Sequence, residues 1–77
     1  MTAKDYYAWA DEYDEQIKII TPMINKLSNI KYFKNTLQRK STEREIRTLQ
    51  SMKYECTCAR DDLLRIAKRI EVNENDT

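Results

Sequence analysis

Apolar residues recur along the first third of the chain at alternating steps of four and three residues. These positions are Tyr6, Ala10, Tyr13, Ile17, Ile20, Ile24 and Leu27. Such spacing keeps one helix face turned toward a neighbouring helix. A second apolar row runs beside the first, at Trp9, Met23, Ile30 and Leu37. The combined stripe is wider than a coiled-coil seam and is typical of a helix in a small bundle.

The single proline, Pro22, interrupts this pattern and admits two interpretations. If Ile17 and Ile24 lie on the seam, Pro22 lies on the opposite side, where the carbonyl oxygen of Lys18 that it leaves without a donor can bind water. The helix then bends at Pro22 and continues. Alternatively, Thr21 caps a new helix whose first residue is Pro22. Both interpretations keep the two halves of the seam nearly collinear, and the kink is the one we favour.

The region from residue 28 to 41 is ambiguous. It contains several Ser, Asn and Thr residues, which are poor formers of helix interiors, although its apolar residues keep helical spacing. Either the first helix continues to about Leu37, or a short separate helix lies here. Beyond this region, Thr42 and Glu45 match the T-x-x-E capping box and predict a second long helix that begins near Glu43.

The second helix carries its own unbroken apolar seam. Its positions are Leu49, Met52, Cys56, Ala59, Leu63, Ile66 and Ile70, with Ile46 and Ala67 beside them. The steps are again three and four residues, so this face also requires a partner helix. The segment from Val72 to Thr77 is polar and uncapped. We therefore predict one helical domain over residues 1–71 and a disordered tail over residues 72–77.

Two amphipathic arms joined by a short polar turn are expected to pack antiparallel, because each apolar stripe must be covered. The predicted fold is an all-α helical hairpin with a first arm kinked at Pro22. Two helices alone leave each stripe half exposed. A short middle helix would complete a three-helix bundle, and a second copy would complete a dimeric four-helix bundle. A chain of 77 residues buries only somewhat more than about 60% of its unfolded surface, which favours the homodimer.

Charge is strongly segregated along the chain, although the net charge is only +1. Residues 1–25 sum to −3, residues 26–53 to +6 and residues 54–77 to −2. The candidate residues for binding nucleic acid or an acidic partner are Lys31, Tyr32, Lys34, Arg39, Lys40, Arg44 and Arg47. Lysines and arginines contact phosphates, and an aromatic ring can stack on a base. The alternative is that these cations only solubilise the turn.

The N-terminal segment combines aromatic and acidic residues. The candidate partner-binding residues are Tyr7, Trp9, Asp11, Glu12 and Glu15. Tyr and Trp dominate the binding energy of many interfaces, because they bury a large area with few rotatable bonds. Carboxylates around them could occupy a surface that normally binds phosphates. The alternative is that Trp9 closes the end of the bundle and that the acids form a solvated face near a helix N-terminus.

The residue inventory argues against catalysis. The chain has no histidine and no glycine, so it has neither an imidazole base or metal ligand nor a glycine-rich phosphate loop. Cys56 and Cys58 lie two residues apart, about 200° around a helix, which excludes a disulfide between them within one chain. No catalytic residue, metal or cofactor is predicted. Reduced cysteines and the lack of a long apolar run indicate a cytoplasmic protein without a membrane association.

These observations predict a small non-enzymatic interaction protein, a regulator or inhibitor that binds a macromolecular partner through charged and aromatic helix surfaces. The partner expected first is a protein. The alternative is a nucleic-acid-binding transcriptional regulator that uses the basic tip of the hairpin, and a weaker third interpretation is a structural assembly subunit. The frequent Lys, Asn and Ile residues are compatible with an origin in a low-GC bacterium or its phage.

Overall fold

The structure, a computed structural model, describes residues 1–75 and folds them into two α-helices. Helix α1 spans Ala3–Ser28 and helix α2 spans Thr36–Asn75, with residues 29–35 as the connecting turn. The two helices pack antiparallel and form an extended hairpin of 64 × 15 × 14 Å. The predicted all-α helical hairpin is confirmed.

A complete capping box starts helix α1. The Thr2 hydroxyl accepts a hydrogen bond from the backbone N–H of Asp5 at 3.3 Å, and the Asp5 carboxylate accepts one from the Thr2 backbone N–H at 2.9 Å. The reciprocal bonds satisfy backbone donors that a helix N-terminus otherwise leaves unpaired. They also hold the pKa of Asp5 below its ordinary value. At the other end, the backbone N–H of Asn29 donates to the Asn25 carbonyl at 3.1 Å.

Helix α1 continues without a break through Pro22. The interpretation in which Thr21 caps a new helix is therefore wrong. Thr21 instead lies inside α1, where its hydroxyl donates to the carbonyl oxygen of Ile17 at 2.8 Å. Pro22 is exposed, as expected for a proline on the side away from the seam. A bend at Pro22 stays a prediction.

Helix α2 begins earlier than the sequence pattern predicts, at Thr36 instead of near Glu43. The Asn35 side chain caps it, because its Oδ1 accepts a hydrogen bond from the backbone N–H of Gln38 at 2.8 Å. The Gln38 side chain reaches back and accepts a hydrogen bond from the backbone N–H of Lys34 at 2.6 Å. This N-x-x-Q pattern does the work of a capping box one residue wider than usual.

The Thr42–Glu45 motif consequently lies inside α2 and caps nothing. Both predictions for residues 28–41 are also wrong, because α1 ends at Ser28 and no separate middle helix is present in the described chain. The three-helix bundle is excluded with them. Of the tail predicted to be disordered, residues 72–75 are helical, while residues 76–77 lie outside the described residues.

The turn over residues 29–35 reverses the chain without any residue at positive φ in the described range. Glycine is most useful where φ is positive, so its complete absence from this chain costs the turn nothing. Phe33 is half-buried within the turn, whereas Tyr32 beside it is 91% exposed. Phe33 thus serves packing, and Tyr32 points away from the hairpin.

The predicted seam of α1 is confirmed by burial. Ala10 and Ile20 are buried, the five other seam residues are half-buried, and Ala3 extends the seam by one further position. The second row predicted beside it does not pack on α2. Trp9, Met23 and Ile30 are 40–44% exposed, and Leu37 belongs to α2 and is 77% exposed.

The seam of α2 differs from the predicted seam at every second position, where the observed residue is the one that follows the predicted residue. The residues that face α1 at alternating steps are Ile46, Leu49, Lys53, Cys56, Arg60, Leu63, Ala67 and Ile70. Met52 and Ile66, predicted on the seam, remain 46% and 37% exposed. The aliphatic stems of lysine and arginine cover apolar surface while their charges reach water, so two basic residues can occupy seam positions. The fully buried Ala67 also lets the helices approach closely.

The core between the helices is thin. It consists of six buried apolar residues, which are Ala3, Ala10, Ile20, Leu49, Leu63 and Ala67. No large side chain in the described chain is fully buried. Because three of the six are alanines, apolar burial stabilises the single hairpin only modestly.

Candidate interaction surfaces

The seven candidate residues of the basic segment lie together at the closed end of the hairpin. This surface, here called the basic tip, consists of Lys31, Tyr32, Lys34, Arg39, Lys40, Arg44 and Arg47. The first three lie in the turn and the other four on the first turns of α2. All seven side chains are exposed. The structure therefore brings these residues to one end of a 64 Å rod.

The cations of the basic tip are mostly without acidic partners. Arg39 approaches Glu43, with 3.7 Å between Nε and Oε1. The other five have no carboxylate oxygen within ion-pair distance among the described residues. The first turn of α2 also lacks an acidic residue. Like charges that lie close together without acidic partners repel one another, so the cluster does not stabilise the hairpin.

The acidic aromatic candidates do not form one surface. Tyr7 is half-buried against α2, and its hydroxyl donates a hydrogen bond to Glu71 at 3.0 Å, which raises the pKa of the phenol. Trp9 lies on the other flank of α1 and is 42% exposed. Asp11 lies four residues after Tyr7 and shares its flank. The hairpin thus separates Tyr7 from Trp9.

Trp9 and Glu12 share an open groove with Tyr13 and Gln16, with a volume of about 250 Å³. The indole ring is stacked on the ring of Tyr6, with centroids 6.4 Å apart and an interplanar angle of 19°. Stacking fixes the Trp9 ring while leaving part of it accessible. Glu15 lies on the back of α1 and is 3.4 Å from the ammonium group of Lys18.

A cross-helix ion pair was missed by the sequence reasoning. Arg60 donates to the carboxylate of Asp14 at 2.9 Å, across 46 residues of sequence. Lys18 lies 3.3 Å from the same carboxylate, as its spacing of four residues predicts. Hydrogen bonds from Arg60 and then Lys18 hold the pKa of Asp14 below its ordinary value. The sequence pattern predicts Ala59 on the seam of α2, whereas the structure places Arg60 there. Had Arg60 been recognised as a seam residue, its contact with an acidic residue of α1 could have been predicted.

Both cysteines are free, with Cys56 half-buried on the seam and Cys58 exposed. The Cys58 thiol near the Tyr54 hydroxyl raises the pKa of the phenol. The two residues are four apart on one exposed helix face.

The described residues contain no group of three or more His, Cys, Asp or Glu side chains that could hold a metal ion. Within residues 1–75, neither helix combines the length and the hydropathy needed to cross a bilayer. Comparison of the chain with protein-family models, with curated proteins and with solved structures finds no match.

Proposed function

We propose that this chain is a small non-enzymatic interaction protein, a regulator or inhibitor that occupies a surface of a macromolecular partner. The observation that carries the proposal is the basic tip. It places six cations and an almost fully exposed tyrosine at one end of the hairpin, five of the cations without an acidic partner among the described residues. Clustered like charges without acidic partners repel one another in the free protein and favour the binding of an acidic surface.

The partner we propose first is a protein with an acidic surface. Exposed arginine and tyrosine side chains are enriched at the centres of protein interfaces.

A nucleic acid is the second candidate, and Tyr32 is the observation that favours it. Its ring is 91% exposed and lies between Lys31 and Lys34. An exposed ring flanked by cations can stack on an unpaired base while the ammonium groups contact phosphates. We also propose a cytoplasmic location, which suits a protein with two free thiols.

The test is capture of partners from a cytoplasmic lysate by the tagged protein, with and without nuclease. Under the first proposal, a specific protein is retained after nuclease treatment and is lost with the variant Lys40→Glu/Arg44→Glu. Retention of nucleic acid alone, lost on nuclease treatment and weakened steeply by salt, would establish the second candidate instead.

The matched control is Lys4→Glu/Lys68→Glu. It changes the net charge by the same amount, from +1 to −3, at two exposed positions near the open end of the hairpin. The proposal predicts that only the tip variant loses the partner. Equal loss with both variants would mean that overall charge, and not the basic tip, governs capture, which contradicts the proposal.

A further inference from the structure

Five apolar residues on the outside of the hairpin remain partly exposed to solvent. Trp9 and Met23 on α1, and Met52 and Ile66 on α2, are between 37% and 46% exposed, and the half-buried Ala59 lies between the last two. On each helix the residues are seven or fourteen positions apart. They therefore form a straight row on each helix, and we call the two rows together the apolar stripe.

Both rows lie on the same flank of the hairpin. Each residue of the apolar stripe immediately precedes a seam residue, as Trp9 precedes Ala10 and Met52 precedes Lys53. Two antiparallel helices are related by a two-fold axis that is perpendicular to the plane containing both helices. Residues with the same offset from the seam, such as those that immediately precede a seam residue, therefore lie on the same side of that plane. The opposite flank obeys this rule, because Tyr7 and Glu71 each follow a seam residue and hydrogen-bond to each other.

The two rows are also level with each other. The Tyr7–Glu71 and Asp14–Arg60 hydrogen bonds fix the register of the helices. In this register Trp9 is level with Ile66, and Met23 is level with Met52. Gln16 and Ala59 fall between them. The apolar stripe is thus two residues wide and extends about 21 Å along the rod, from one outer level to the other.

We propose that the apolar stripe is covered by the apolar stripe of a second copy of this chain, with the two hairpins antiparallel to each other. The accessible surface area of the hairpin is large enough to include an interface with a second copy. Its accessible area is 6304 Å², whereas a compact monomer of 9.3 kDa exposes about 5,000 Å². The excess of about 1,300 Å² exceeds the roughly 800 Å² that each partner buries in a stable complex.

The charge distribution decides the orientation. Residues 26–53, at and near the tip, carry +6, whereas residues 1–25 and 54–75, which form the rest of the rod, carry −3 and −1. A parallel dimer would place the two basic tips side by side. An antiparallel dimer separates the two basic tips and brings each one toward the part of the other copy that carries net negative charge.

The residues at the centre of the apolar stripe are compatible with an antiparallel dimer. A two-fold axis at the level of Gln16 and Ala59 sets Trp9 opposite Met23 of the second copy, and Met52 opposite Ile66 of the second copy. The two Gln16 amides then meet at the axis, where they can hydrogen-bond to each other. A single polar pair in an apolar interface fixes register, because every other alignment leaves the amides unpaired.

The first experiment is sedimentation equilibrium from 1 to 100 µM. We expect twice the mass of the 9.3 kDa chain for the unaltered protein. The variant Met23→Glu/Met52→Glu should raise the dissociation constant by about a hundredfold or more, because it would bury four carboxylates in the interface, each opposite an apolar side chain of the other copy. The matched control is Tyr54→Glu/Val72→Glu, at two exposed apolar residues off the stripe, which should leave the dissociation constant within about threefold of the original.

A spin label at Asn29 measures the orientation on an unaltered stripe, in the variant Asn29→Cys/Cys56→Ala/Cys58→Ser. Asn29 is thirteen residues from Gln16, so an antiparallel dimer places the two labels about 40 Å apart. A parallel dimer would place them within about 20 Å. This measurement tests the antiparallel dimer even if the variant Met23→Glu/Met52→Glu fails to fold.

Three results would overturn the proposal. They are a monomer throughout the concentration range, equal weakening of the dimer by the stripe variant and its control, and a short distance between the labels. Failure of partner capture would leave the dimer unaffected, because the basic tip and the apolar stripe are separate surfaces.

Discussion

The close approach of the helices near the open end makes Ala10 a sharp test of the fold. Ala10 is 2% exposed, and Ala67, on the facing seam of α2 near the same end of the rod, is fully buried. The variant Ala10→Glu adds volume to a filled site, for about 1–3 kcal/mol, and places a carboxylate there without a partner, for about 1–3 kcal/mol more. A domain of this length has a total stability of about 4–12 kcal/mol. The variant should therefore lose a large part of the free energy of unfolding.

Ala8→Glu is the matched control, because Ala8 is exposed on the back of the same helix. It should change the free energy of unfolding by about 0.5 kcal/mol or less. Urea unfolding followed by circular dichroism at 222 nm, at one protein concentration, compares the two variants. With a slope of about 1 kcal/mol per molar urea, the midpoint of Ala10→Glu should fall by about 2 M or more. Equal midpoints for the two variants would refute the packing described for α1 and α2.

Three further outcomes follow from the caps and hydrogen bonds. Asn35→Ala should lower the free energy of unfolding by about 1 kcal/mol, whereas Thr42→Ala should not, and urea titrations of both distinguish the true helix start from the apparent one. The pKa of Asp14 is lowered in the folded state, so its contribution is present above the ordinary value of 3.8 and is lost as pH falls through the lowered pKa. Asp14→Asn should flatten the acid limb of a stability-versus-pH curve. The pKa of Tyr7 is raised by Glu71, so its contribution is present below 10.0 and is lost as pH rises through the raised pKa. Absorbance at 295 nm should show two late-titrating tyrosines, Tyr7 and Tyr54, and only one of them should remain in Tyr7→Phe.

The helical hairpin and the seam of α1 could be predicted because both follow from local spacing. The start of α2 could not, since Asn35-x-x-Gln38 and Thr42-x-x-Glu45 are both plausible caps, and only the packing of the turn selects the first. The seam of α2 was partly misassigned because the sequence analysis counted only apolar residues as seam residues. Lys53 occupies a seam position through the aliphatic part of its side chain.

The candidate surfaces also include one that the sequence predicts and others that it does not. The basic tip is contiguous in sequence, so its clustering was predictable from charge alone. The separation of Tyr7 from Trp9 was not, because it depends on which flank of α1 meets Glu71, a residue 64 positions away. The apolar stripe likewise requires the register of two helices. Such features emerge only when distant parts of the chain are paired.

The antiparallel register has a consequence for how the hairpin closes. Contacts near the turn join residues close in sequence, whereas the hydrogen bond at the open end spans 64 residues. The entropy lost on loop closure grows with the logarithm of the span, by about 0.6 kcal/mol for each doubling. Contacts beside the turn therefore form first, and each pair that closes shortens the loop left for the next. We therefore expect the two helices to pair from the turn toward the termini, with the hydrogen bond between Tyr7 and Glu71 among the last contacts to form.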